Sequence, residues 1–112
     1  MYQIRTYLTV DGHSPYDDWL DGLDRKVRAR VQTRISRMEL GNLGDHKPLK
    51  GCDGMLYEAR LFFGPGYRVY FGIEGKTVVI LLCGGDKGTQ AQDVQTAKEL
   101  WDDYRGRTDE EG

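Results

Sequence analysis

Between Met55 and Cys83, apolar and polar residues alternate through three successive runs, MLYEARLFF, YRVYFGI and KTVVILLC, separated by Gly64-Pro65-Gly66 and by Glu74-Gly75. A period of two predicts strands, here an antiparallel meander. In the first run Tyr57, Ala59, Leu61 and Phe63 share one face, leaving Glu58 and Arg60 on the other beside Leu56 and Phe62. In the second, Tyr67, Val69, Phe71 and Ile73 share a face opposite Arg68 and Tyr70. Pairing through the short turn makes the apolar faces coincide, so Glu58, Arg60, Arg68 and Tyr70 gather on the other face. Two arginines, a carboxylate and a phenol on one open sheet face suit an anionic phosphate. The plainer reading is a solvated face with ordinary cross-strand ion pairs. The third run is apolar on both sides and belongs inside a sheet, covered above and below.

Tyr2 to Leu8 alternates and predicts a first strand. Ser14-Pro15-Tyr16-Asp17 then reads as a helix start, with serine as the cap, proline in the first turn and an acid at the positive helix end. Tyr16, Trp19, Leu20 and Leu23 form its apolar stripe, and the helix is expected to end near Gly22. Asp24 caps a longer helix to about Leu40, where Val27, Val31, Ile35 and Met38 line one side and Arg25, Lys26, Arg28, Arg30, Arg34 and Arg37 cover the rest. With almost no linker, the two helices form a hairpin on one face of the sheet. Residues 41–53 read as a loop carrying His46, Lys47 and Lys50. Gly84-Gly85 should break the third strand of the meander, after which Thr89, with Gln92, caps a last helix whose stripe is Val94, Ala97, Trp101 and Tyr104. Residues 106–112, GRTDEEG, read as a disordered acidic tail beyond a single domain at 1–105.

A chain of 112 residues with 38% hydrophobic and 30% charged residues fits one soluble α+β domain. No apolar run approaches the roughly 20 residues of a membrane helix. MYQIRTYLTV lacks the pattern of a signal peptide, so a cytoplasmic protein without membrane contact is expected. Cys52 and Cys83 stand apart from any CxxC or His-rich spacing, so neither zinc nor a disulfide is indicated, and Cys83 reads as packing. The net charge of −2 argues against a protein that coats nucleic acid indiscriminately. The charge is unevenly placed, with eight basic against two acidic residues between Arg25 and Lys50. That segment suits an acidic partner or an RNA backbone, or is a solvated helix face.

KPLKGCDGMLYEARLFFGPGYRVYFG, followed by ILLCGGDKGTQAQDV, closely resembles the HigB-like addiction-module killer proteins of the RelE/ParE toxin superfamily. The shared words are a K-x-L-x-G loop, a Y-E-x-R strand, a G-x-G-Y-R-V-Y-F strand and a G-G-D-K-x-T-Q exit. The resemblance spans nearly the whole chain. It implies the order β-α-α-β-β-β-α, with a mainly antiparallel sheet, a helix hairpin on one face and a C-terminal helix. It also implies a type II toxin that cuts mRNA, commonly on the ribosome, and is silenced by an antitoxin encoded beside it, expected to be a helix-turn-helix DNA binder. The ParE branch poisons gyrase instead, and a decayed toxin would only bind its antitoxin.

The family's basic positions fall on Arg60, Arg68 and Lys87, which would grip the scissile phosphate while the ribose 2′-hydroxyl attacks it, without metal or other cofactor. Relatives often place a Tyr or His near the start of the last helix for proton transfer. Here that stretch reads TQAQDV, which leaves Glu58 as the expected base and Tyr70 or Asp93 as alternatives. Lys47, Lys50, Tyr70, Thr89 and Asp93 complete the expected substrate site. Arg68 on a solvent-facing strand would be replaceable by alanine with little loss of stability.

Overall fold

The computed structural model describes residues 1–50 and 55–111, with side chains to Arg107; Cys52 lies outside them. The elements run β1 (Gln3–Thr6), α1 (Pro15–Asp21), α2 (Arg25–Glu39), β2 (His46–Pro48), β3 (Leu56–Leu61), β4 (Tyr67–Glu74), β5 (Val78–Asp86), a 3₁₀ turn (Lys87–Thr89) and α3 (Gln90–Glu111). The sheet order is β1-β5-β4-β3-β2. β1 lies parallel to β5 and every other pair is antiparallel. The sheet is therefore mixed, and the basic loop contributes a short edge strand, β2, that its polar sequence does not announce.

Local chemistry sets the helix ends. The Ser14 hydroxyl accepts from the Asp17 amide at 3.0 Å, and the Asp24 carboxylate accepts from the Lys26 amide at 3.1 Å. Gly22 and Leu40 close the two helices. At the last helix the cap differs from expectation. Asp86 takes the Gly88 amide at 2.8 Å, and Thr89 returns to the Asp86 backbone, so Thr89 completes the box that Asp86 opens.

Two cores form, one on each side of the sheet. Tyr16, Leu20, Val31 and Met38 of the hairpin pack on Ala59, Leu61, Val69, Phe71, Val79 and Leu81. On the other side Ala97 and Trp101 of α3 pack on Leu56, Tyr70, Ile80, Leu82 and Cys83. The face expected to meet solvent thus lies under α3, because the helix stripe needs an apolar surface and the hairpin already occupies the opposite one.

Glycines make this close layering possible. A Cβ on Gly72 would stand 2.3 Å from the Trp101 ring, and one on Gly84 would stand 2.3 Å from the Trp19 ring, on opposite sides of the sheet. β5 consequently runs on through Gly84 and Gly85 to Asp86 instead of breaking there; these glycines admit neighbouring side chains. α3 likewise continues past Arg105, with Arg107 donating to the Leu8 carbonyl at 2.7 Å and pairing with Asp103. Among the described residues no helix is long and apolar enough to cross a membrane.

Candidate functional site

Strand register assembles the site at the start of α3. Glu58 stands across from Tyr70, and Arg60 stands across from Arg68. One strand further, Arg68 faces Gly85 and Tyr70 faces Cys83; at the other edge Lys47 faces Glu58. Cross-strand partners share a face, so these residues form two adjacent rows beneath and beside the first turn of α3.

Glu58 is fully buried. Its Oε1 accepts from Arg68 Nε at 3.3 Å, and its Oε2 accepts from the Gln90 amide at 3.1 Å. The carboxylate expected as the base is thus engaged by internal partners and closed to solvent. Tyr70 is equally enclosed, and its hydroxyl has no partner among the described residues. Burial first, then the neighbouring Glu58 and Asp93 carboxylates, push this phenol far above its ordinary range, so it stays protonated. Direct substrate contact by Tyr70 does not fit that enclosure.

Arg68 is only 12% exposed at its side chain. Besides Glu58 it donates from Nη1 to the Gly66 carbonyl at 3.1 Å. A Cβ on Gly66 would stand 3.7 Å from both Arg68 Nη1 and Lys87 Cβ, so both residues lie against Gly66. Lys87 itself is exposed.

Arg60 turns away from that pair. Its Nε and Nη2 donate to the two oxygens of Asp45, at 2.9 and 3.2 Å, in a bidentate pair. Asp93, half-buried, receives the Thr89 hydroxyl and lies against Gly85, where a Cβ would stand 1.8 Å from its Oδ2. Lys47 and Lys50 are exposed on and just after β2. Register and packing therefore bring together Glu58, Arg68, Tyr70, Asp93, Thr89 and Lys87, whereas Arg60 is diverted to Asp45.

A second feature adjoins Arg60. Arg30, Arg34 and Arg37 of α2 line a groove of about 320 Å³ with Asp45, Arg60, Phe62 and Phe63. Arg30 stacks 3.9 Å from the centre of the Phe63 ring, and Arg60 stands 5.6 Å from that of Phe62, which is 76% exposed. Arg34 is structural: it donates to the carbonyls of Leu43, Arg60 and Asp45, joining α2 to the loop and to β3. Sequence inspection singled out neither Gln90 nor Asp45. Both bond across the fold, 32 and 15 residues from their partners, and a neutral amide at a helix start carries no signal of its own. Among the described residues no cluster of His, Cys, Asp and Glu offers a metal site.

The molecule is a compact α+β fold, a mixed five-stranded sheet between a helix hairpin and α3, with Arg68 and Lys87 against Gly66 and an arginine-rich groove at Arg60. Residues 18–102 match the family described as phage derived protein Gp49-like (DUF891), and the chain belongs to that family, one of RelE/ParE-type toxins of toxin–antitoxin modules. It is 43% identical over 99 residues to an uncharacterized protein of Haemophilus influenzae, covering 88% of this chain and 91% of that one. It is also similar to a conserved hypothetical protein of Helicobacter pylori known from a solution structure, at 21% identity and a TM-score of 0.47, covering 79% of this chain and 97% of that one.

Proposed function

We propose that this chain is the toxin of a type II toxin–antitoxin module, of the HigB-like branch, and that it cuts mRNA on translating ribosomes. The observation that carries the reading is the pairing of a braced arginine, Arg68, with an exposed lysine, Lys87, beside Gly66. A planar guanidinium next to a mobile ammonium matches the charge that builds on a phosphate under attack. The 2′-hydroxyl oxygen bonds to phosphorus, and the bond from phosphorus to the 5′ oxygen breaks. The products are a 2′,3′-cyclic phosphate and a 5′-hydroxyl.

With Glu58 enclosed, the carboxylate placed to take the 2′-hydroxyl proton is Asp93, which sits at Gly85 directly across the ladder from Arg68. Thr89 orients it. Beyond the scissile bond, the RNA strand runs past Arg60 into the groove, where phosphates meet Arg30 and Arg37 and a base stacks on Phe62. An acidic antitoxin segment laid over the same arginines would exclude the RNA, which accounts for neutralisation by charge complementarity. The antitoxin is expected as a helix-turn-helix DNA binder encoded next door.

Pulsed expression followed by primer extension on a reporter mRNA tests the reading. Discrete new 5′ ends are expected with the wild type and none with Lys87→Ala, whose exposed side chain leaves folding intact. Intact mRNA with broken DNA would instead indicate gyrase poisoning. Enclosure of Glu58 favours one second reading, an antitoxin-binding module without nuclease activity; intact mRNA, intact DNA and a captured antitoxin would establish it.

A further inference from the structure

The enclosed hydrogen-bond chain at the head of α3 has a role that its buried carboxylate cannot fill as an acid or base. Four segments meet there in sequence. Gln90, the first residue of α3, donates its amide to Glu58 Oε2 at 3.1 Å and to Oε1 at 3.4 Å. Glu58, on β3, accepts Arg68 Nε at 3.3 Å. Arg68, on β4, donates onward from Nη1 to the carbonyl of Gly66 at 3.1 Å, and Gly66 abuts Lys87 in the turn before α3.

We infer that Gln90 and Glu58 are positioning residues: they brace Arg68 from behind so that its remaining guanidinium donors are held ready for an anion beside Lys87. The inference rests on the ribonuclease reading and assigns residues to its phosphate clamp. Three facts support it. Arginine carries five N–H donors in a rigid plane, and the brace uses one at Nε and one at Nη1, while Nη2 has no partner among the described residues. Glu58 is 0% exposed, so it holds Arg68 without competing for substrate. An arginine free to rotate samples many rotamers, whereas one tied at two points keeps its fork in one plane, and clamp orientation of this kind governs rate more than affinity.

Gln90 has a further consequence. Because it opens α3, the position of that helix is read out directly at Arg68: sliding or lifting the first turn would release Glu58 and loosen the fork. The sheet supplies the arginine, and the helix sets its aim.

The full-length chain carrying Glu58→Gln, Gln90→Leu or Arg68→Lys tests this in single-turnover cleavage of an RNA oligonucleotide across pH. Affinity is read in parallel with an uncleavable oligonucleotide carrying a 2′-deoxy sugar at the scissile position. Glu58→Gln and Gln90→Leu are each expected to slow cleavage about tenfold or more at every pH, with affinity held within about threefold. Glu58→Gln added to Arg68→Lys should slow cleavage no further, since both act through one group. Loss of the acid limb of the pH profile in Glu58→Gln would make Glu58 the base and overturn the inference. So would additive losses, or a Gln90→Leu variant as fast as wild type.

The brace is also read without activity. In a nitrogen-15 spectrum the Arg68 Nε–H signal, assigned by its absence in Arg68→Lys, should exchange slowly in the wild type and quickly in Gln90→Leu. If the wild type leaves RNA whole, the ribonuclease reading falls while a protected Nε–H still upholds the brace; a fast-exchanging Nε–H in the wild type overturns the brace itself.

Discussion

Replacing Arg68 by alanine should damage the fold itself. The Arg68 side chain is 12% exposed and its partner Glu58 is 0% exposed, so water cannot take over when the guanidinium leaves. Among the described residues, the Gln90 amide would then be the hydrogen-bond donor left to the carboxylate. Breaking a buried pair by removing one partner costs about 3–5 kcal/mol, mostly as the penalty of an uncompensated buried charge. Against the roughly 5–15 kcal/mol that holds a domain together, that is a large share. The unfolding entropy of a domain is about 2.1 cal/mol/K per residue, so the expected fall in Tm for this chain is roughly 13–21 °C.

Thermal and urea unfolding of wild type, Arg68→Ala, Glu58→Gln and the double variant would measure this. The double variant should regain more than half of the loss of Arg68→Ala, because a neutral amide at position 58 can stay buried with Gln90 as its partner. A loss under about 1 kcal/mol for Arg68→Ala would refute the reasoning, since it would mean that Arg68 does not compensate a desolvated charge. A double variant as unstable as the sum of the singles would refute it as well. The expectation from strand alternation alone, that Arg68 is replaceable at little cost, is reversed by the cover that α3 provides.

Other consequences are open to direct measurement. Gly72→Ala places a methyl group where the Trp101 ring now lies, 2.3 Å away, and should lower stability by about 1–3 kcal/mol in urea unfolding; Trp101→Leu in the same background should recover part of it. The Cys83 thiol is buried at the sheet–helix interface, and that burial pushes it up to about 12. Peptide mapping should therefore find Cys83 unmodified by iodoacetamide at pH 8 in the native protein and fully modified in denaturant. The Tyr16 phenol is pushed from 10.0 up to about 12, chiefly by burial. A group raised on folding contributes fully below its unfolded value, so this contribution is present below pH 10 and lost as pH rises through about 12. Tyr16→Phe should flatten the decline of stability across that window by about one proton's worth.

The fold was largely legible where one element's pattern sufficed. Ser14, Pro15 and Asp24 announce both hairpin helices through capping chemistry that acts within a turn, and alternation in β3 and β4 puts Glu58, Arg60, Arg68 and Tyr70 on one face, with the register supplied by the fold. What stayed hidden depends on two elements at once. β2 has only three residues, His46-Lys47-Pro48, and exists because β3 offers it an edge. Gly84 and Gly85 look like strand breakers until Trp19 and Asp93 are known to lie against them. The pull of Asp45 on Arg60 is equally tertiary, since it depends on the loop before β2 being held beside β3 by Arg34.

The enclosure of Glu58 nevertheless follows from features each visible in the chain, once they are combined. Val78 to Cys83 is apolar on both sides and demands two covers. The hairpin supplies one, and the stripe Val94, Ala97, Trp101 and Tyr104 is the remaining apolar surface able to supply the other. Laid on the second side, α3 must cross Leu56 and Tyr70, and the residue between them on that face is Glu58. A carboxylate trapped there needs a cation and a second donor, and strand register offers Arg68 while the helix start offers Gln90. Packing geometry thus turns Glu58 into an internal strut, at the place where the sheet ends and the last helix begins.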